Sequence, residues 1–255
     1  MSKPKVLISD ALSQAAIAIF KEHGIDVTFE PDLGKDKDAL AAAVAAYDGL
    51  AIRSATKVTE KILDAAKNLK VIGRAGIGVD NVDTKTATAH GIIVMNTPFG
   101  NSITTAEHAI TLMMALARQI PQANASTKAG KWEKNRFLGV ELFGKTLGVI
   151  GCGNIGAIVA DRAIGLKMKV VAFDPFLSPE RALELGVEKV ELEDLLRRAD
   201  FITLHTPLTD KTRNILSADA LASCKPGVRI INCARGGLID EAALKDALVS
   251  GHVAG

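Results

Sequence analysis

The chain has 255 residues, 48% of them apolar, enough for one large or two modest domains with their own cores. Its 31 lysines and arginines against 29 acids leave a net charge of +2, which gives no ground for nucleic acid or an anionic membrane as partner. The three cysteines, Cys152, Cys224 and Cys233, form no CxxC pair, no apolar run could span a bilayer, and Asp10 interrupts a start that lacks the core of a signal peptide; neither a disulfide framework nor a metal site is expected, and a soluble cytoplasmic protein is.

In chain order, short runs rich in β-branched and apolar residues predict strands at 5–8, 26–29, 49–52, 71–73 and 92–95. Amphipathic stretches at 11–22, 37–46 and 60–66 predict helices between them. Next comes NTPFGN, a turn-rich segment and candidate hinge. Cap-type Asn101 and Ser102, then Thr104 and Glu107 at capping-box spacing, open a longer helix. Its apolar side chains recur at Ile103, Ala106, Ile110, Met113, Met114 and Ala117, and Pro121 marks its expected end. The methionine pair reads as packing. Residues 128–136 read as a charged connector. A second set of strands is predicted at 146–150, 169–173, 201–204 and 229–232, with helices at 155–166, 192–198 and 241–249. Such alternation gives parallel sheets covered on both faces. The fold class is therefore α/β, with two doubly wound parallel-sheet domains, at 1–98 and 99–255.

TLGVIGCGNIG places Gly151, Gly153 and Gly156 directly after a strand and at the opening of a helix. In that setting the first glycine permits the turn, the second lets a pyrophosphate approach the backbone, and the third lets helix and strand pack closely. Free N–H groups of Asn154, Ile155 and their neighbours at the helix start favour an anion. The following strand ends in Asp174, 18 residues past Gly156, near the distance expected for an acid on a ribose hydroxyl. A carboxylate there opposes a 2′-phosphate by about 4 kcal/mol at an effective dielectric near 20, so NAD is expected rather than NADP. Two later strands end in His205, Thr206 and Pro207, and in Cys233, Ala234 and Arg235. Ligands of open α/β sheets sit beyond the carboxyl ends of strands. Arg235 is thus expected at the reactive end of the cofactor, clamping a carboxylate or carbonyl oxygen.

With these motifs together, the chain resembles the D-isomer-specific 2-hydroxyacid dehydrogenases over essentially its whole length. The likeness rests on VIGRAGIGVDNVD (71–83), VMNTPFGNS (94–102), GKWEKNRFLGVELFGKTLGVIG (130–151), ITLHTPLT (202–209) and INCARGGLIDE (231–241), and RAGIGVDNVD and NTPFGNS point to the branch acting on 3-phosphoglycerate. The resemblance implies a flavodoxin-like substrate domain followed by a Rossmann NAD-binding domain. It implies NAD-dependent oxidation of a phosphorylated 2-hydroxy acid in serine synthesis, by a homodimer or homotetramer. Arg235 would bind the substrate carboxylate and carbonyl oxygen. Backbone N–H groups of Ala75 and Gly76, beside Ile77 at the cofactor, would seat the carboxylate, and Asn101 would lie at the hinge. Arg53 with Ser54, Arg74 and, across a dimer, Lys134 would take the phosphate. Asn154 stands where many relatives carry arginine. The family's catalytic glutamate and histidine would fall beyond Gly255, leaving the second domain incomplete and this chain with little or no turnover. Of the five histidines, only His205 lies at a crevice strand end, and it reads as a residue near the cofactor. His108 reads as packed on the joining helix. Two rival readings are a glyoxylate or hydroxypyruvate reductase and a non-enzymatic NAD-sensing corepressor.

Overall fold

A computed structural model describes residues 3–255. The chain divides into two compact units, the first ending at Asn101 and the second beginning at Ser102.

The first unit holds β1 (Lys5–Ile8), α1 (Gln14–Glu22), β2 (Asp26–Phe29), α2 (Lys37–Val44), β3 (Gly49–Ile52), α3 (Glu60–Ala65), β4 (Val71–Arg74), α4 (Thr84–Ala89) and β5 (Ile93–Asn96). Its sheet has the order β2-β1-β3-β4-β5, with every neighbouring pair parallel. The order reverses between β1 and β3, the flavodoxin-like arrangement. Strand β3 (GLAI) is buried throughout, which is why an unbroken apolar run marks it in the sequence. On one face Leu40, Val44, Ile62 and Leu63 from the helices meet Leu7, Leu50, Ile52 and Ile72. Side-chain caps fix the helix starts: Ser13 accepts from the Ala16 N–H, Asp36 from those of Asp38 and Ala39, and Asp83 from that of Thr86.

The second unit holds α5 (Ser102–Ala117), α6 (Ile120–Lys128), β6 (Thr146–Ile150), α7 (Asn154–Gly165), β7 (Lys169–Phe173), α8 (Pro179–Leu185), β8 (Glu188–Lys189), α9 (Leu192–Arg198), β9 (Phe201–Leu204), α10 (Ala218–Ser223), β10 (Arg229–Asn232) and α11 (Glu241–Val249). Its parallel sheet runs β10-β9-β6-β7-β8 and reverses between β6 and β9. Helix α5 packs on α7 through small residues: Ala106, Ala109 and Ala117 share a buried cluster with Val159, Ala160 and Ala163.

One local expectation needs correction. Pro121 does not terminate a helix; it lies in the first turn of α6, where its missing N–H costs nothing. The break between α5 and α6 falls at Gln119, whose φ of 52° is left-handed. Of the methionine pair only Met113 is buried, while Met114 is exposed. Strand β8 went unpredicted because its two residues are exposed and charged, and carry no apolar signal.

Candidate functional site

The dinucleotide loop forms where β6 gives way to α7. Gly151 has a φ of 88°, and a Cβ there would lie 2.8 Å from the His205 carbonyl oxygen. A Cβ on Gly156 would lie 2.1 Å from the Gly151 carbonyl oxygen, so only glycine lets the first turn of α7 close on the loop. A Cβ on Gly153 would meet nothing within 4 Å. The space above Gly153 is therefore open, and the protein's own packing does not require a glycine there. Gly153 is also the N-cap of α7 and has no side chain to cap it. The exposed helix start and the open backbone fit a pyrophosphate.

Asp174, just past β7, is tied into the same loop. Its Oδ2 accepts the Cys152 N–H at 2.8 Å and its Oδ1 accepts the Phe176 N–H at 2.8 Å. The carboxylate is held beside the glycine turn, with lone pairs to spare for ribose hydroxyls. The Cys152 thiol, between the glycines, is pushed up to about 11 by burial and then by the charge of Asp174. Burial also raises Cys233. Neither thiol is poised as a nucleophile.

At the end of β9, the His205 N–H donates to the Ile150 carbonyl at 2.8 Å, and the ring Nε2 lies 2.9 Å from Thr203 Oγ1. Nδ1 is buried without a partner among the described residues. Burial depresses the imidazole to about 4, so the ring is neutral at neutral pH. The folded value lies below the unfolded value of about 6.5, so this group's contribution to stability is complete above about 6.5 and is lost as the pH falls toward 4. The expected result is a loss of about 2 kcal/mol from this group between about pH 7 and about pH 5, absent in His205→Asn, as read by urea unfolding at those two pH values.

Beyond β10, Asn232 shapes the turn: its Oδ1 accepts the Ala234 N–H at 3.0 Å and its Nδ2 donates to the Arg235 carbonyl at 2.8 Å. The half-buried Arg235 guanidinium donates to the Ala234 carbonyl at 2.8 Å. It lines a cavity of about 500 Å³ with Thr104, Thr105, His108 and Cys233. His108, expected to be packed, is exposed on α5 and faces this cavity. Because β7, β6, β9 and β10 are parallel neighbours, Asp174, the glycine loop, His205 and Arg235 all lie at one end of one sheet. With strands about 4.8 Å apart, the outer two are separated by roughly 14 Å. Thr206 and Pro207 follow His205 at the same end. Lys134 opens an exposed 3₁₀ turn in this unit.

In the first unit, the strand ends carry Arg53, Ser54, Arg74, Ala75 and Gly76. Two of the expected receptor groups meet protein partners here. The Arg74 guanidinium, expected on the phosphate, is only 7% exposed: it donates to the Gly78 carbonyl and lies 3.5 Å from Asp80 Oδ1. A buried cation needs such partners; the following loop supplies them to one terminal nitrogen, while Nε is buried without a partner among the described residues. The Ala75 and Gly76 amides, expected to seat a carboxylate, are also taken. Ala75 extends the β3–β4 ladder by donating to the Ile52 carbonyl at 2.9 Å, and Gly76 donates to Thr97 Oγ1 at 2.9 Å. Arg53 and Ser54 remain exposed. Sequence reading missed Asp10 and Asn81, which hold the loop carrying those two residues; their side chains give no periodic or spacing signal. Among the described residues, no three His, Cys, Asp or Glu side chains gather as a metal ion needs, and no helix is long and apolar enough to cross a membrane.

Residues 110–255 match the model of the D-isomer specific 2-hydroxyacid dehydrogenase NAD binding domain. The chain is 50% identical over 252 residues to a D-3-phosphoglycerate dehydrogenase of Synechocystis, covering 98% of this chain and 45% of that protein. It is 48% identical over 250 residues to one from Archaeoglobus fulgidus, covering 98% and 47%. The chain thus spans about half the length of the curated relatives it matches. Among solved structures, the TT0316 protein of Thermus thermophilus superposes with a TM-score of 0.90 at 35% identity, covering 98% of this chain and 80% of that one. A D-lactate dehydrogenase of Aquifex aeolicus, complexed with NAD and lactic acid, gives 0.88 at 27% identity, covering 98% and 75%. The family match takes in more than half of the chain and falls on the unit that carries the glycine loop: the chain belongs to the D-isomer-specific 2-hydroxyacid dehydrogenases.

Proposed function

We propose that the protein oxidises 3-phosphoglycerate to 3-phosphohydroxypyruvate with NAD, the first step of serine synthesis. The observation that carries this reading is that identity near 50% to D-3-phosphoglycerate dehydrogenases runs through both units, including the one that bears Arg53 and Ser54. When bound, the nicotinamide accepts the hydride that leaves the substrate C2. The glycine loop and the start of α7 hold the pyrophosphate, and Asp174 holds the adenosine ribose. Thr206, Pro207, Cys233 and Ala234 line the cofactor. Arg235 orients the substrate carboxylate and stabilises charge on the oxygen that becomes a carbonyl. Asn101 stands at the junction of the units as a hinge. Arg53, with Ser54, is the exposed cation for the phosphate, joined by Arg74 and, from a second subunit, by Lys134. No proton acceptor is assigned among the described residues: burial makes the His205 imidazole a weak base, and its Nε2 is engaged with Thr203.

The test is a pair of titrations, with 3-phosphoglycerate and with unphosphorylated glycerate. A clear preference for the phosphorylated acid, reduced about tenfold in Arg53→Ala, is expected from loss of one charge-assisted contact. Equal use of both acids would favour a glyoxylate or hydroxypyruvate reductase. For the cofactor, Asp174→Ala is expected to weaken NAD about tenfold or more and to bring NADP closer to NAD, since the opposing charge is removed. Unchanged discrimination would overturn the role of Asp174.

A cytoplasmic homodimer or homotetramer belongs to the same proposal. Leu112, Met114, Ile120, Trp132, Leu138 and Phe143 are exposed on α5, α6 and the segment that follows, and offer apolar surface to a second subunit. Sedimentation equilibrium reads the subunit number directly.

A further inference from the structure

Asp10 follows β1 and is 3% exposed. Its Oδ2 accepts the N–H of Arg53 at 2.6 Å and that of Thr56 at 3.1 Å. Asn81, beyond β4, donates from Nδ2 to the carbonyls of the same two residues, each at 2.7 Å. Two side chains from different strand ends thus hold both backbone polar groups of the first and last residues of the 53–56 loop. The middle of the loop is left outward: Ser54 and Ala55 are exposed, and their N–H groups have no acceptor among the described residues. The Arg53 guanidinium donates to the Ala11 carbonyl at 3.2 Å, which keeps it beside the same strand ends.

Two further observations bear on this arrangement. Asn81 Oδ1 is buried and has no donor. An interior acceptor left without a partner is unfavourable, so part of what the asparagine gains from its two Nδ2 bonds is offset. The clamp also lies where the strand order reverses between β1 and β3, the place at which open parallel sheets bind ligands.

We propose that Asp10 and Asn81 are positioning residues that fix the 53–56 loop so that the Ser54 and Ala55 amides and the Arg53 guanidinium together receive the phosphate of the phosphorylated 2-hydroxy acid. The proposal rests on the phospho-acid reading above. Neither side chain touches the ligand; each acts through the loop. Asp10→Asn retains an oxygen able to accept both N–H groups, whereas Asp10→Ala retains none.

The experiment titrates the 255-residue chain and its variants with 3-phosphoglycerate, glycerate and NAD by calorimetry. Asp10→Ala is expected to weaken 3-phosphoglycerate by about 10- to 100-fold while glycerate and NAD stay within about twofold, the signature of a misplaced receptor loop. Asp10→Asn is expected to recover most of the loss. Asn81→Ala, at a half-buried position, carries the same test if Asp10→Ala does not fold by circular dichroism. Parent-like affinity for 3-phosphoglycerate in these variants, or an equal loss for all three ligands, would overturn the positioning role. If the unaltered chain binds 3-phosphoglycerate and glycerate equally, the phospho-acid reading itself fails, and the ligand assigned to this loop fails with it.

Discussion

Gly153→Ala is expected to leave the second unit folded and to abolish dinucleotide binding, whereas Gly156→Ala is expected to damage the fold itself. The two substitutions add the same methyl group three residues apart. At Gly156 the added carbon would sit 2.1 Å from the Gly151 carbonyl oxygen. The obstacle is backbone in a turn whose φ of 88° already suits glycine, so it cannot rotate away as a side chain would. A cost of about 3 kcal/mol or more is expected, visible as a lower melting temperature. At Gly153 the carbon meets no protein atom within 4 Å, so the melting temperature of the free protein should not move. The same carbon stands over the exposed start of α7, where the pyrophosphate must approach. NAD affinity should fall about 100-fold or more, since both the close contact and the amide geometry are lost. Calorimetric titration and thermal melts on the two variants decide the matter. If Gly153→Ala binds NAD as the parent does, the loop is merely a tight strand–helix turn and the cofactor reading is lost.

Arg235→Ala is expected to raise the dissociation constant for 3-phosphoglycerate about 100-fold, because two charge-assisted hydrogen bonds contribute together about 3 kcal/mol, and every 1.4 kcal/mol is tenfold. Arg235→Lys should recover less than about tenfold of that, since a point charge lacks the planar fork. NAD affinity should change little in either variant, which separates a substrate contact from damage to the sheet. The turn has its own support in Asn232, which holds the Ala234 N–H and the Arg235 carbonyl whether or not the guanidinium is present. In the active protein the same loss should appear as a fall of about 10²–10³ in kcat/KM, the usual effect of removing one donor from a developing oxyanion. Equal losses of NAD and substrate affinity would mean that Arg235 maintains the fold and does not bind substrate.

How far the site could be read from the sequence depends on which kind of group carries it. The glycine loop was legible because three glycines at fixed spacing after a strand answer to backbone sterics, which are local. Asp174 and Arg235 were legible because each ends a strand whose boundary the apolar run gives away. The surroundings of Arg74 and of the Ala75 and Gly76 amides were not legible, for the opposite reason. Each sits in a motif that looks like a receptor, and folding also brings each a protein partner: the Gly78 carbonyl, the Ile52 carbonyl and the Thr97 hydroxyl. Asp10 shows the same limit from the other side. In the sequence it is one acid that interrupts an apolar start. In the fold it meets Arg53 and Thr56, more than forty residues away, and becomes the inner support of their loop.

The sequence by itself determined the strands of both sheets, apart from β8, and the cofactor loop. Continuous burial leaves unbroken apolar runs, and a turn without room for a Cβ demands glycine, and both constraints act within a few residues. Only the tertiary structure decided which polar groups remain available to a ligand. A hydrogen bond depends on distance in space rather than along the chain, so folding engages groups that look free in the sequence, as at Arg74, Ala75 and Gly76, and leaves the amides of Ser54 and Ala55 outward.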